Sequence, residues 1–235
     1  MSLRKIVAFI LITCATATSF AQEIKGMSDF TIGMSVEEFL DLPLIKEKNI
    51  QDKASRNYPY RTDERVVWKT TADSQLGKYH RKYDRIYSAD IVKFEFKAPM
   101  GVPGHSGEDS YDVTTKFYKG KLAQVDIPNP GRDFDKILTT KYGKPIKEDK
   151  LKSVVCQNDY GVESSSIVGS ASTIWGKGKK ITATLGNFYF GCGRASFSYT
   201  VEESATVKVM DRINENGSKA SEAEKGKVKA DASKL

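Results

Sequence analysis

The hydrophobic and polar positions first predict a short N-terminal helix. Ser35 is followed three residues later by Glu38, a spacing at which each side chain can bond the backbone N–H of the other residue. Met34 and Phe39 are spaced to pack across the helix start, and Pro43 is expected to end the helix. The residues expected on its buried side are Val36, Phe39 and Leu40.

A second helix is predicted over residues 134–142. Its apolar positions recur at intervals of three, one and four residues, which gives one stripe along a helix. Asp133 can cap the start, and Gly143 can adopt the left-handed conformation that ends a helix. The stripe consists of Phe134, Ile137, Leu138 and Tyr142.

Elsewhere the pattern alternates with a period of two, which predicts antiparallel strands. Lys119 and Gly120 predict a hairpin turn, and the glycine- and lysine-rich residues 176–179 predict another. In residues 195–201, Ala195, Phe197, Tyr199 and Val201 alternate with Ser and Thr, so we expect one buried and one solvated face. The predicted strands are residues 65–69, 91–97, 112–118, 122–127, 172–175, 181–185 and 195–201.

The order of these elements predicts an α+β fold of short helices packed on an antiparallel sheet. One helix precedes several strands and a second helix precedes several more, which indicates two tandem helix-plus-sheet units, residues 22–128 and 129–210. Residues 51–61 and 100–110 are expected to be long surface loops. Residues 211–235 have few large apolar side chains, and we therefore expect a disordered charged tail.

Residues 1–21 have the pattern of a signal peptide. A basic start precedes an apolar run over residues 6–13, and small residues occupy the two key positions before a cleavage site after Ala21. The run is shorter than the roughly 20 residues of a membrane-spanning helix, so we expect a periplasmic or secreted protein without a transmembrane segment. The alternative is a lipoprotein with its lipid on Cys14.

The two cysteines that would remain after cleavage are Cys156 and Cys192. An exported chain reaches an oxidising compartment, where such a pair is expected to form a disulfide. Redox-active pairs more often have the spacing Cys-x-x-Cys, and these two residues are far apart. The sequence therefore predicts a structural disulfide.

Composition and charge narrow the possible partners. The 235 residues include 37 Lys and Arg and 30 Asp and Glu, giving a formal net charge of +7, and 39% are hydrophobic. This apolar content is enough for a core, which excludes wholesale disorder. The acidic residues are spread among the basic ones, and nucleic acid is therefore not an expected partner.

Signatures of catalysis are scarce in the sequence. His80 and His105 are its two histidines, and no zinc-binding motif is present, so we expect neither a metal site nor a cofactor. His105, Ser106 and Asp109 are close in sequence but lack the Gly-x-Ser-x-Gly elbow of serine hydrolases. We therefore predict a non-enzymatic protein. A small hydrolase acting on an envelope polymer is the alternative, because the two acids of a glycosidase can come from anywhere in a chain.

Two stretches that combine tyrosine with basic residues form the predicted binding surface. Tyr and Arg are enriched at interaction hot spots, and we expect this surface to hold another envelope protein or an anionic envelope polymer. The alternative is a loop or strand whose tyrosines pack inward while its cations stay in water. The predicted binding residues are Tyr58, Tyr60, Arg61, Tyr79, Arg81, Lys82, Tyr83, Arg85 and Tyr87.

Residues 30–39, Phe-Thr-Ile-Gly-Met-Ser-Val-Glu-Glu-Phe, together with the order of elements, resemble small bacterial envelope proteins. These are the small lipoprotein subunit of the outer-membrane β-barrel assembly machine and the tandem-repeat β-lactamase-inhibitor proteins. The resemblance implies a helix-plus-sheet module whose sheet face or loops bind another protein, and it assigns no role to individual residues.

Overall fold

The computed structural model describes residues 22–53, 64–75, 85–99, 110–130, 134–157 and 160–232. The expected signal peptide lies outside these ranges, as do most of the two expected loops. The strands are β1 (Gly26–Met27), β2 (Phe30–Thr31), β3 (Asn49–Asp52), β4 (Val66–Thr70), β5 (Ile91–Pro99), β6 (Ser110–Tyr118), β7 (Lys121–Pro128), β8 (Ile146–Gln157), β9 (Glu163–Trp175), β10 (Ile181–Gly191) and β11 (Arg194–Glu203). The helices are α1 (Val36–Leu40), α2 (Pro43–Lys46), α3 (Phe134–Tyr142) and α4 (Ser204–Ala232).

Nine of the strands form one sheet in the order β3-β4-β5-β6-β7-β11-β10-β9-β8. Its neighbouring strands are antiparallel except for β3 and β4, which are parallel. β1 and β2 form a separate small hairpin. The fold is α+β with one disulfide, as predicted.

The predicted cap of α1 and the predicted extent of α3 are confirmed, whereas Asp133, the predicted cap of α3, lies outside the described residues. The Ser35 hydroxyl accepts the Glu38 N–H at 3.1 Å, and the Glu38 carboxylate accepts the Ser35 N–H at 2.5 Å. That second hydrogen bond lowers the pKa of Glu38. α3 spans the predicted residues 134–142, and Gly143 follows it with φ of 80°. Pro43 does not end α1, which already closes at Asp41; it begins α2 instead.

The helices α1 to α3 and the β1-β2 hairpin pack on one face of the sheet, which we call the core face. Phe39 of α1 is fully buried, and its ring centroid lies 5.0 Å from that of Phe94 and 5.3 Å from that of Phe117. Phe134 of α3 contacts Tyr199 of β11 at 5.3 Å between centroids. One continuous hydrophobic core therefore covers the joint between β7 and β11.

The two predicted tandem units share this single sheet. β7 belongs to residues 22–128 and β11 to residues 129–210, and the two strands pair directly. The division of the chain into two units stays a prediction.

α4 corrects the expectation of a disordered tail, because residues 211–232 are helical. Val207 and Met210 are buried against Ile86, Ile91 and Ala123 on the face of the sheet opposite to the core face. The composition of the tail did not predict this, because the apolar anchors lie before or at its first residues. Once the first turns of α4 are packed on the sheet, extending the helix through the alanine- and lysine-rich residues that follow costs little free energy. None of the helices in the described ranges is long and apolar enough to cross a membrane.

Four strands were not predicted from the sequence, namely the short strands β1 and β2 and the strands β3 and β8, and two were predicted much too short. β3 includes Gln51 and Asp52, which were assigned to a loop, and no strand was predicted over β8. β9 and β10 extend well beyond residues 172–175 and 181–185. β8 has charged residues on both faces, and β9 is rich in Ser. Neither shows clear alternation, because this part of the sheet is open to solvent on both sides.

The disulfide between Cys156 and Cys192 is formed and crosses a strand. Cys156 is the second-to-last residue of β8 and Cys192 follows β10. β9 lies between these two strands in the sheet, yet the Cα atoms of the two cysteines are 5.5 Å apart. The tip of the β10-β11 hairpin must therefore fold over β9. Gly191 allows this approach, since a Cβ there would lie 3.0 Å from Val168 Cγ1.

Substitution of Gly217 tests the docking of α4. A Cβ at Gly217 would lie 2.3 Å from the Cβ of Tyr87, so Gly217→Ala should lower the free energy of unfolding by about 1 kcal/mol or more. Gly226→Ala on the same helix meets open space and should raise it by about 0.5–1 kcal/mol. Urea denaturation measures both, and equal stabilisation by the two alanines would contradict this docking.

Loss of the disulfide should lower the free energy of unfolding by about 3–4 kcal/mol, because the bridge closes a loop with a sequence separation of 36. The comparison is urea denaturation of the oxidised protein and of the Cys156→Ser/Cys192→Ser variant. Identical midpoints would show that the bridge does not constrain the unfolded chain.

Candidate functional site

Most of the predicted binding surface cannot be placed. Arg85 and Tyr87 are described, and the other seven predicted binding residues lie outside the described residues, as do His80, His105, Ser106 and Asp109. The hypothesis of a basic and aromatic surface over residues 58–61 and 79–83 therefore stays a prediction.

Arg85 and Tyr87 lie beside α4. The Tyr87 N–H donates to Asn214 Oδ1 at 3.2 Å, and the Tyr87 side chain packs against Gly217. Arg85 is half-buried, and its Nε is buried without a hydrogen-bond partner among the described residues. Tyr87 thus lies against α4, and its role in binding stays a prediction.

A set of half-buried charged side chains lies on the face of the sheet that carries α4. Register places Lys93, Lys116, Gln124 and Glu202 in one row across β5, β6, β7 and β11. These positions alternate with core-face residues, so their side chains point away from the core. We call this set the charged cluster; its members are Lys53, Lys93, Glu95, Lys116, Asp126 and Glu202.

Glu95 is held between two lysines at one end of the charged cluster. Lys93 Nζ lies 2.7 Å from Glu95 Oε1, and Lys53 Nζ donates to Glu95 Oε2. Burial alone would raise the pKa of Glu95, but the charges and hydrogen bonds of both lysines outweigh it and hold the pKa below its usual value. At this end of the cluster the negative charge of Glu95 is therefore balanced by two neighbouring lysines.

Burial dominates at the other end. It raises the pKa of Asp126, although Thr200 Oγ1 donates to Asp126 Oδ1 at 2.6 Å. Burial also raises the pKa of Glu202, which accepts from Gln124 Nε2 at 3.1 Å. Burial, and next the charge of Lys93, lowers the pKa of Lys116. Each shift favours the neutral form of its group.

Such a pair of carboxylates is what the hydrolase alternative requires, because acids with raised pKa values serve as proton donors. Asp126 and Glu202 lie on the neighbouring strands β7 and β11. Their oxygens are engaged by Thr200, Gln124 and Ser204, and they lie on the face against which α4 docks. This arrangement is typical of a polar layer beside a docked helix, in which one oxygen, Gln124 Oε1, is buried without a hydrogen-bond partner among the described residues.

A shallow groove of about 670 Å³ lies elsewhere, on the core-face side beside α1. It is lined by residues 31–34, Glu38, residues 41–43 and Lys121, and so includes much of the motif that carries the family resemblance. The Glu38 carboxylate is committed to the cap of α1. Among the described residues, no group of His, Cys, Asp and Glu is arranged to hold a metal ion.

The largest exposed apolar side chains lie on the strands that follow α3. Phe188 and Phe190 of β10 are 45% and 59% exposed, Phe197 of β11 is 41% exposed, and Val155 of β8 is 71% exposed. We use the name outer sheet for the parts of β8, β9, β10 and β11 that α3 does not cover and that carry these exposed side chains. Leu151 of β8 and Ile167 of β9 belong to the same set, and Tyr160 and Val162 are exposed in the connection between these two strands.

Both faces of the outer sheet expose apolar groups. Phe197 alternates in step with the buried Tyr199 and Val201 and so lies on the core face, whereas Phe188 and Phe190 lie on the other face. The sequence predicted Phe197 on a buried face. It is exposed because α3 has nine residues and covers only the part of β11 near Tyr199. The signal that sequence reasoning overlooked is the run Phe188-Tyr189-Phe190, which puts aromatic residues on both faces of one strand.

No known family model, curated protein or solved structure matches this chain.

Asp126→Asn tests the buried end of the charged cluster. Folding raises the pKa of Asp126 above its ordinary value of 3.8. As the pH rises from 3.8 through the raised pKa, the buried carboxyl group has to ionise, and this destabilises the native state. The asparagine can still accept from Thr200 but does not titrate. The free energy of unfolding should therefore fall less between pH 4 and pH 8 in Asp126→Asn than in the wild type. Asp149→Asn, at an exposed position on β8, is the control; equal pH profiles of Asp126→Asn and the wild type would contradict the burial of this carboxylate.

Proposed function

We propose that this chain is a non-enzymatic protein exported to the bacterial envelope, where its outer sheet binds another envelope protein. The observation that carries the proposal is the exposure of large apolar side chains on the outer sheet. Phe188, Phe190, Phe197 and Val155 lie on strands that are well paired and held by a disulfide. Their exposure is therefore a property of an ordered surface.

Phe188 and Phe190 lie together on one face of the outer sheet, and exposed apolar groups on one ordered face mark a site of protein interaction, because water contact with them is costly and a partner removes it. Phenylalanine is enriched at the centre of such interfaces. Serine residues of β9 and β11 surround Phe188, since Ser170 and Ser196 are its direct neighbours in register. An aromatic centre with a small polar surround matches the anatomy of a protein-binding surface.

Two features support export. The N-terminal residues have the pattern of a signal peptide, and the cysteines expected to meet an oxidising compartment are paired. A protein partner is favoured over an anionic polymer, because the exposed phenylalanine side chains of the outer sheet are apolar and aromatic.

Binding is favoured over hydrolysis of an envelope polymer. The carboxylates with raised pKa values lie against α4 and are engaged by neighbouring donors, and the outer sheet has no equivalent pair with shifted pKa values among its described residues.

The proposal predicts that one envelope protein is crosslinked in intact cells by a photoreactive phenylalanine analogue at position 190. The same analogue at Val209, an apolar position of α4 that is 41% exposed, should not capture that protein.

With the captured protein in purified form, Phe188→Ser/Phe190→Ser should weaken binding by about thirtyfold or more, as expected for hot-spot aromatics. Val209→Ser should leave the affinity unchanged. Capture of the same proteins at both positions, or unchanged binding of the double variant, would contradict the proposed function.

A further inference from the structure

We propose that the free edge of β8 binds an extended acidic segment of a partner protein, which adds to the sheet as a further strand. This inference rests on the proposed function, because it states how the outer sheet would hold its partner. β8 is the last strand of the sheet and pairs with β9 from Ile146 to Gln157. No strand of the described residues pairs with its other side.

β8 is uncovered to an unusual extent. Of its 12 residues only Val154 and Cys156 are not exposed. Neither a helix nor a loop of the described ranges shields this edge. A long edge strand without a cover presents a row of backbone donors and acceptors to any extended chain nearby.

The direction of the backbone groups identifies which residues face outward. The Lys150 carbonyl points toward β9, because a Cβ on Gly169 would lie 2.0 Å from its oxygen, and the Cys156 carbonyl accepts from Ser164 Oγ of β9. In an antiparallel ladder, alternate residues turn both backbone groups to the same neighbour. The residues that turn theirs outward are therefore Lys147, Asp149, Leu151, Ser153 and Val155.

The edge is held at both ends before any partner arrives. Cys156 is bonded to Cys192 at the end of β8, and Glu148 near its start forms an ion pair with Lys177 in the turn between β9 and β10. A preformed edge loses little conformational entropy on binding, so the backbone hydrogen bonds contribute more of their energy to affinity.

The charged side chains of β8 indicate which kind of strand would bind at this edge. β8 has three lysines at positions 147, 150 and 152 and two acids, of which Glu148 is already paired with Lys177. Lys150 and Lys152 have no acid opposite on β9, where their neighbours are Ser170 and Val168. Cross-strand pairs of opposite charge stabilise a sheet, so an incoming strand with acidic residues beside these lysines fits best.

The same charges disfavour a second copy of the chain as the occupant. Two antiparallel copies of β8 related by a two-fold axis must place one residue opposite its own copy. In the registers with the longest overlap, centring on Lys150 or Lys152 sets a lysine against itself, and centring on Leu151 sets Lys150 against Lys152. The register centred on Lys150 also sets Glu148 against Lys152, but that carboxylate is already paired with Lys177. Like charges directly opposite destabilise a ladder. The lysines therefore disfavour self-pairing and favour an acidic strand from another protein.

The test uses two peptides as long as β8, one alternating Val with Glu and one alternating Val with Lys, added to the full chain with its disulfide intact. The Val-Glu peptide should slow hydrogen exchange, measured by NMR, at the outward amides of residues 147, 149, 151, 153 and 155. The intervening amides already bond β9 and should change little. The Val-Lys peptide should give no protection.

Lys150→Glu/Lys152→Glu should weaken binding of the Val-Glu peptide about tenfold at low salt, since two favourable cross-strand pairs become repulsive. Lys208→Glu/Lys225→Glu makes the same change in net charge at exposed positions on α4 and should leave binding unchanged. Protection spread evenly over both sets of amides, or no protection by the Val-Glu peptide, would overturn strand addition.

The protein captured at position 190 separates this inference from the proposed function. If Phe188→Ser/Phe190→Ser abolishes its binding and Lys150→Glu/Lys152→Glu does not weaken it, strand addition is wrong and the outer sheet still binds through its side chains. If neither variant weakens binding, the proposed function fails as well.

Discussion

The pairing of β7 with β11 is the constraint on which the rest of the structure depends. It joins the strands that follow α1 to the strands that follow α3, and five residue pairs from Gln124 to Pro128 form the joint. On one side of this joint, Val125, Ile127 and Val201 belong to a single hydrophobic core. On the other side, the same register aligns Asp126 with Thr200 and Gln124 with Glu202. A shift by one residue would exchange the two faces and bury the acids in the core.

Different helices cover the two faces of the sheet, and on neither face do they extend to the end of the sheet. α1, α2 and α3 cover the core face, and α4 covers part of the opposite face with Val207 and Met210. Beyond these helices the long strands β8 to β11 continue with serine, glycine and exposed aromatic residues. Disulfide bonding and strand pairing keep this region ordered without a hydrophobic core of its own. An ordered, uncovered surface is suited to binding, because it loses little conformational entropy when a partner binds.

Sequence reasoning succeeded where structure is local. The capping residues of α1, the apolar stripe of α3 and the Lys119-Gly120 turn between β6 and β7 each depend on residues within a few positions of one another. It failed where tertiary contacts decide. α4 docks through contacts with Ile86 and Ala123, which its own composition does not reveal. The charged cluster draws single residues from several strands, and only their register brings them together. The contact between Tyr87 and Gly217 likewise has no local signal in the sequence, because it depends on the docking of α4.

The central claim is the proposal that the outer sheet binds a protein partner, and a structure of the chain together with any protein that co-purifies with it would test this most directly. The account predicts that Phe188 and Phe190 lose their solvent exposure in that complex while Val209 on α4 keeps its own. A complex in which both phenylalanines stay exposed and the partner contacts another part of the chain would contradict the account.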